Sequence, residues 1–543
     1  MSNSKCLVET PNFSGSRIIE RLDFTGCINL SYVHSSIGLL KKLVFLSLEC
    51  CRSLVRVVLD GNTASKLCSL KVLHLSGCTK LETVPDFTGV TNLEYLDIDQ
   101  CMSLLTIDQS IGDLTQLKFL SLRDCTNLVN IPKNINFMTS LVTLDLCGCL
   151  KLENLPLGHV SVSAESIDFF SVSAEVADLS NYLESLIFLD LSFCNLSTAP
   201  DAIGELWHLE RLNLEGNNFI SLPSSIGHLS SLAYLNLAHC SGLQSLPDLQ
   251  LCATSSSGGR YFTMLSGSHN HGSGLYIFNC PLLKIAEETQ DLALSWLIKL
   301  VKVRTSHCFP LLSLSLGECV CACVLLLLIY VLFFFWWQSL HHFRCGFDIV
   351  VPGDIIPEWF DHQFKGNSRL RITNFTNKYN NWLGFAFCVV FVENCGSNIS
   401  YPLYLSFESE HMEETFDIPL RLDLNMVDGL NSEHLWLIYI SRPHCHFVTT
   451  EAHITFKAHP DVELKRWGLR MVLKNDISNP FKLRTDELRR QGYLQLDHVH
   501  VSSRSKRPEV QLRYNWHVTE EEENESREVN LKKNHLSDMG LTT

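Results

Sequence analysis

The chain has 543 residues, with 43 Lys and Arg against 58 Asp and Glu, a formal net charge of −15. That length predicts two or three folded units, and 46% hydrophobic residues exclude a largely disordered chain. The negative balance argues against a nucleic-acid partner, which needs a basic face.

Residues Met1 to Gly15 are polar, so no signal peptide opens the chain. Residues 1–17 read as the second half of a repeat whose strand is nearly missing. A solenoid needs a polar cap on its first turn, and none is visible. The chain therefore looks like a C-terminal piece of something longer, or else a short form with a frayed first turn.

Residues 18–250 are organised by one repeating unit. Leu117-Lys118-Phe119-Leu120-Ser121-Leu122-Arg123-Asp124-Cys125-Thr126-Asn127-Leu128 follows the pattern L-x-x-L-x-L-x-x-C-x-x-L. Its second Leu recurs at Leu22, Leu46, Leu73, Leu96, Leu120, Leu144, Leu189, Leu212 and Leu235. The steps are 24, 27, 23, 24, 24, 45, 23 and 23 residues, and all but the sixth match the period of leucine-rich repeats. The long step holds a loop insertion at 158–182, where Ser161-Val162-Ser163-Ala164-Glu165 is copied at Ser171-Val172-Ser173-Ala174-Glu175.

In x-L-x-L-x the leucines share one face of a short strand. That face is buried only when neighbouring turns stack on it. The Cys that follows (Cys27, Cys51, Cys78, Cys101, Cys125, Cys149, Cys194, Cys240, with Asn217 once) is small enough to turn inward toward the backbone of the bend. These ladder positions, with no recurrent C-x2-C pairs, make most of the 22 cysteines reduced structural thiols rather than disulfide or zinc partners. The second half of the unit, as in Pro223-Ser224-Ser225-Ile226-Gly227-His228-Leu229, closes each turn on the convex side, partly helical.

Residues 251–302 read as a degenerate last repeat with a strand at Leu275–Cys280, then a capping helix over 284–301. The fold expected up to this point is an α/β leucine-rich-repeat solenoid of about nine to ten turns. Residues 303–338 form an apolar insertion, treated below. In 339–515 strand-like runs appear at Phe347–Val351, Trp382–Val392, Leu403–Phe407, His434–Ile440, His453–Lys457 and Leu469–Leu473. Short strands broken by Pro, Gly and Asn predict an antiparallel β-sandwich of jelly-roll or immunoglobulin-like type. Residues 516–543, with Glu520–Glu523, read as an acidic, disordered tail.

The repeats with C-x-x-L spacing, followed by Phe347-Asp348-Ile349-Val350-Val351-Pro352-Gly353-Asp354-Ile355-Ile356-Pro357-Glu358-Trp359-Phe360, resemble plant intracellular immune receptors. The class is the one with a Toll/interleukin-1-receptor domain, a nucleotide-binding module and leucine-rich repeats. Trp382–Phe391 and Lys465-Arg466-Trp467-Gly468 are similar to its post-repeat jelly-roll domain. Pro352 and Pro357 are expected to stiffen a turn, with Trp359 and Phe360 packing into the sandwich. The resemblance implies a ligand-sensing portion of a disease-resistance receptor. Its partner would be a pathogen effector or a guarded host protein, with the nucleotide-binding domains of a longer receptor or self-association as further contacts. It implies a cytoplasmic, or nuclear, location. No G-x-x-x-x-G-K-[ST] loop exists in the chain, so nucleotide binding does not carry over. No cofactor and no catalytic constellation is expected. The alternative reading is a membrane-anchored leucine-rich-repeat receptor-like protein.

The outward positions of x-L-x-L-x line the concave face, the binding face of solenoids. The candidate ligand-binding residues there are Phe45, Tyr95, Asp97, Asp99, Phe119, Arg123, Phe188, Asp190, Tyr234 and Asn236. An aromatic recurs at one position expected to be exposed in five turns, and aromatics among mixed charges suit contact surfaces. The aligned acids Asp97, Asp145 and Asp190 read as solvated strand residues. His444 and His446 with His453, and the pair His498/His500, suggest a metal site only weakly, since position suggests no third ligand and the local sequence is strand-like.

Within 303–338, Cys319 to Trp337 is a run of 19 residues without a charge, long enough to span a bilayer. A membrane helix there would separate the jelly-roll from the repeats. The second reading is a translated, unspliced intron. Lys302-Val303-Arg304 can be encoded by a splice-donor-like sequence, and the Leu/Phe-rich end requires a pyrimidine-rich message. Gln338 can be CAG, and the 36 codons keep the frame.

Overall fold

The computed structural model describes residues 1–16, 18–59, 67–153, 155, 183–247, 249, 273–283 and 292–301. Beyond these it describes 347–360, 362–366, 368–373, 382–393, 399, 401–409, 415–420, 422, 433–441, 451–473 and 476. The apolar run at 303–338, the insertion at 158–182, the tail at 516–543 and the His444/His446 and His498/His500 pairs all lie outside these residues. Among the described residues no helix is long and apolar enough to cross a membrane.

Ten short strands pair in parallel, in chain order: β1 Arg21–Asp23, β2 Phe45–Ser47, β3 Val72–His74, β4 Tyr95–Asp97, β5 Phe119–Ser121, β6 Thr143–Asp145, β7 Phe188–Asp190, β8 Arg211–Asn213, β9 Tyr234–Asn236 and β10 Gly274–Tyr276. The register puts each repeat leucine opposite the next, as in Leu96 against Leu120 against Leu144. From Leu46 to Leu275 these leucines are at most 1% exposed; burying each fully contributes about 1.5–3 kcal/mol. Convex segments such as Ser35–Leu39, Gln109–Asp113 and Ser224–His228 are single 3₁₀ turns.

The cysteine ladder is a hydrogen-bond ladder. Each thiol donates to a carbonyl of the preceding turn: Cys78 Sγ to Leu48 O at 3.2 Å, Cys125 Sγ to Ile98 O at 3.1 Å, Cys194 Sγ to Leu146 O at 3.1 Å. Asn217 in the same place donates to Leu191 O at 2.8 Å and Leu214 O at 2.9 Å. Burial pushes the thiols of Cys51, Cys194 and Cys240 up to about 12. Immediately before every ladder residue the backbone turns left-handed, with φ between 53° and 76° from Gly26 to Asn279. Glycine takes that place in four turns (Gly26, Gly77, Gly148, Gly216). In the others it is Cys50, Gln100, Asp124, Phe193, His239 and Asn279.

Beyond the repeats, residues 292–301 form helix α1, whose Trp296 and Leu297 are buried against the solenoid core. Lys299 is also buried, donating from Nζ to Leu232 O at 2.8 Å. Nine further strands follow: β11 Phe347–Pro352, β12 His362–Lys365, β13 Leu370–Thr373, β14 Trp382–Glu393, β15 Leu403–Ser409, β16 Thr415–Leu420, β17 His434–Ser441, β18 Glu451–Ala458 and β19 Val462–Leu473. The six runs expected from sequence are all strands. β12, β13 and β16 were not foreseen, and β19 starts earlier than its apolar end suggested.

β11 joins two architectures. It runs parallel to β10, with Leu275 opposite Ile349, and antiparallel to β17 on its other side. The described residues thus build one 15-stranded sheet, β1 through β11 and then β17-β14-β19-β12. A second, antiparallel sheet has the order β13-β18-β15-β16. The central strand β14 reads Trp-Leu-Gly-Phe-Ala-Phe-Cys-Val-Val-Phe-Val-Glu, near-continuously apolar, as a strand covered on both faces must be. One face, with Phe387, Val389 and Trp436, packs on the second sheet through Phe456. The other, with Ala386, Cys388, Val390 and Leu437, continues the solenoid core.

Trp359 and Phe360 are buried, but on the solenoid side of this sheet rather than between the two sheets. The turn carrying them is held by the Lys465–Arg470 stretch of β19. Arg466 donates to Asp354 O, Arg470 donates to Trp359 O, and a Cβ on Gly468 would crowd Ile356 and Phe360.

Candidate functional site: the concave strand face

The outward residues of β1–β10 form two rows. In the first, rings follow one another along the sheet. Arg21 lies 3.5 Å above the Phe45 ring centroid. Phe45 and His74 are 5.6 Å apart, His74 and Tyr95 5.0 Å, and Tyr95 and Phe119 4.4 Å with planes 2° from parallel. His74 enters the row from the neighbouring outward position, because Val72 fills the aromatic place in β3. That substitution by a ring two residues on was the one signal for it in the sequence.

The second row caps the strand ends. A side-chain oxygen two residues back accepts the backbone N–H of Thr25 from Asp23, Asp99 from Asp97, Cys147 from Asp145, Ser192 from Asp190, Glu215 from Asn213 and Ala238 from Asn236, all within 3.2 Å. This is the Asx turn, in which a short polar side chain replaces a backbone acceptor. The aligned acids are therefore strand-end caps first, and not solvated residues. Asp145 is 8% exposed and Asp190 only 1%.

The candidate residues separate into two groups. Phe45, Tyr95, Asp97, Asp99 and Arg123 are half-buried and adjoin one another, with Phe119 buried at 9% exposure. Asp97 Oδ2 sits 3.4 Å from His74 Nδ1. Asp99 accepts from Ser121 Oγ and from Arg123 N at 2.9 Å. Burial, and then the Asp97 charge, push the Asp99 carboxyl up to about 7. The Arg123 side chain pairs with Asp145 at 2.8 Å.

Phe188, Asp190, Tyr234 and Asn236 form the second group, and the expectation of exposed rings fails there. Phe188 is 8% exposed and Tyr234 3%. Tyr234, Ala238, Tyr276 and Phe278 belong to the core shared by the two sheets beyond β10. The second sheet stands on the concave side of the last turns, so strand periodicity alone could not tell an open face from a covered one. Arg211 lies 4.1 Å above the Tyr234 ring. Asn236 is tied into the fold at both ends of its amide: its Nδ2 donates to Glu215 Oε2 at 2.9 Å, and its Oδ1 accepts from Ala238 N. Asp190 accepts from Ser192 Oγ at 2.5 Å and Asn213 Nδ2 at 2.9 Å. Burial, then the charge of Asp145, raise its carboxyl to about 6.

Residues 66–254 match the family described as disease resistance protein RPS4B-like, leucine-rich repeats, and residues 351–478 match the C-JID domain. The chain is 33% identical over 300 residues to TMV resistance protein N of Nicotiana glutinosa, covering 46% of this chain and 24% of that protein. It is 38% identical over 208 residues to Disease resistance protein RPP5 of Arabidopsis thaliana, covering 38% of this chain and 14% of that one. Protein SUPPRESSOR OF npr1-1, CONSTITUTIVE 1, also from Arabidopsis thaliana, is 34% identical over 237 residues, covering 40% and 13%. The chain spans about a quarter or less of the length of these relatives. The two family matches fall on the solenoid and on the two-sheet domain described above, and with these relatives they make the chain similar to the leucine-rich-repeat and C-JID region of plant disease-resistance proteins.

Proposed function

We propose that this chain is the ligand-sensing portion of a plant disease-resistance receptor, recognising a pathogen effector or a guarded host protein and acting in defence signalling. The observation that carries the reading is the open half of the concave face. From β2 to β4 the rings Phe45, His74 and Tyr95 and the carboxylates Glu49, Asp97 and Asp99 stay half-buried, whereas from β9 onward the same positions are filled by the C-terminal domain's core. A rigid surface with aromatic anchors and unfilled charge suits a protein partner. The reading places the chain in the cytoplasm and assigns it no catalytic activity of its own.

The jelly-roll assignment of the C-terminal domain belongs to the same reading. Its support is the strand order β12-β19-β14-β17 in one sheet and β13-β18-β15-β16 in the other, the interleaving that two Greek keys produce.

The test is a leaf co-expression assay with a receptor containing this region and its eliciting protein. Glu49→Lys with Tyr95→Ala alters the open half and leaves the strand-end caps in place. Loss of the defence response at unchanged receptor accumulation supports the reading; an unchanged response overturns it. Asp190→Lys is unsuitable, since a cation buried in that cap would unfold the turn.

A further inference from the structure

The open half of the concave face pairs a ring rail with carboxylates that no Lys or Arg among the described residues answers. Between Asp23 and Arg123 the outward strand positions carry Glu49, Asp97 and Asp99 and one imidazole, His74, 3.4 Å from Asp97. Among the described residues, no Lys or Arg lies within ion-pair distance of any of the three. Alongside them runs the rail of Phe45, His74, Tyr95 and Phe119, with centroids 4.4–5.6 Å apart.

The fold already shows what such a rail accepts. At its open end Arg21 stacks 3.5 Å above Phe45 and reaches Asp23 at 3.9 Å. Farther along the sheet Arg211 lies above Tyr234. A guanidinium is planar enough to lie against a ring, stays charged at every physiological pH, and presents N–H donors at its edge to a carboxylate. A lysine ammonium satisfies the charge but not the stacking.

We infer that the strip from β2 to β5 takes an arginine-bearing segment of a polypeptide partner, its guanidinium beside the half-buried Tyr95 ring and its donors on Asp97 and Glu49. This names the partner chemistry of the sensing face and rests on the reading above. A bound cation here also relieves the repulsion between Asp97 and Asp99, which is part of what raises the Asp99 carboxyl.

The test uses the full chain and short, end-blocked, fluorescent peptides alternating glycine with arginine, lysine or citrulline, followed by anisotropy near pH 8, about a unit above the raised Asp99 carboxyl. The arginine peptide is expected to bind about tenfold more tightly than the lysine peptide, and the citrulline peptide not to bind, a difference of about 1.4 kcal/mol per decade. Glu49→Gln with Asp97→Asn, and separately Tyr95→Leu, should each weaken the arginine peptide about tenfold. Glu82→Gln with Asp113→Asn makes the same charge change at exposed positions off this face and should leave binding unchanged. Thermal melts establish that each variant is folded. No binding by folded protein, equal binding of arginine and lysine peptides, or equal loss in the Glu82/Asp113 variant overturns the inference. If Glu49→Gln with Asp97→Asn silences the leaf response while no arginine peptide binds, the sensing face stands and the partner chemistry is wrong. If the peptide binds as expected while the leaf response is unchanged, the sensing reading falls instead.

Discussion

Gly274 and Asp348 pair across β10 and β11 so closely that a Cβ on Gly274 would land on the carbonyl oxygen of Asp348. The repeat sheet passes into the C-terminal domain through this pair. Ile277 N donates to Val350 O at 2.7 Å one residue beyond β10, and Trp436 Nε1 donates to Asp348 Oδ1 at 3.2 Å from β17. The obstacle is backbone, so no rotamer change relieves it. We expect Gly274→Ala to cost about 1–3 kcal/mol, the usual penalty of overpacking. Hydrogen exchange should show early loss of protection in 274–277 and 347–352, with 45–121 unaffected. Uniform protection would mean that the junction does not depend on this glycine.

The left-handed residue before each ladder position makes a graded set of substitutions. Gly148 has φ of 76°, and a Cβ there would run into Asp124 of the preceding turn. Gln100 holds φ of 56° with a side chain already present, exposed to solvent. An L residue in this conformation costs about 1–2 kcal/mol, partly returned to Gly as unfolded-state entropy. We expect Gly148→Ala to lower stability by about 1–2 kcal/mol and Gln100→Gly to change it by less than about 1 kcal/mol, toward stabilisation. Chemical denaturation of the two variants distinguishes these directions.

Two buried concave carboxylates give the solenoid a pH dependence of unusual sign. Asp99 is raised to about 7 and Asp190 to about 6, against about 3.9 in an unfolded chain. Between these values the folded state binds more protons than the unfolded state, so stability falls as pH rises through that window. Surface acids lowered by partners act oppositely, as Glu94 does through Lys118 and Lys71, and their contribution is lost only as pH falls below about 4. We expect thermal stability to be higher near pH 5, where both folded-state carboxyls hold their protons, than near pH 8, above the whole window. Asp99→Asn should flatten that slope. A slope unchanged in Asp99→Asn would assign the effect to other groups.

The solenoid was legible because one requirement, a leucine facing inward every other residue of a short strand, repeats at a period too regular for chance. Cys125 and Asn217 were likewise readable as inward-turning residues, since the bend offers them only backbone carbonyls. The concave surface was half legible. Alternation says which way Tyr95 and Tyr234 point, but not that the β13-β18-β15-β16 sheet covers the second and leaves the first half-open. The acids misled for a related reason. Asp145 and Asp190 have the spacing of a solvated stripe, yet each accepts the backbone N–H two residues on, a local bond that composition does not reveal. β12, β13 and β16 are at most six residues long and carry Lys, Arg, Thr or Asp among their apolar residues, which leaves little alternation to read.

Arg470 is the buried charge that the sequence pattern disguised, sitting in an apolar strand behind Trp467. It is 1% exposed, 4.6 Å from the Trp359 ring centroid, and pairs with Asp476 at 3.0 Å. Asp476, itself 4% exposed, also accepts Leu473 N at 2.7 Å. The pair ties the end of β19 to the turn that carries the Ile356–Phe360 stretch. Removing either partner leaves a buried charge without its counterion, which costs about 3–5 kcal/mol. Replacing both with apolar residues removes that penalty. What remains is the Leu473 N–H and the Trp359 carbonyl losing an acceptor and a donor, about 1–3 kcal/mol each. We therefore expect Asp476→Leu and Arg470→Met to be severe alone and markedly non-additive together. In a double-mutant cycle by chemical denaturation, the pair should be destabilised by less than the sum of the singles by about 1–3 kcal/mol. Additive losses would mean that Arg470 acts through its stacking on Trp359 and its bond to the carbonyl there, with Asp476 serving only to cap the strand.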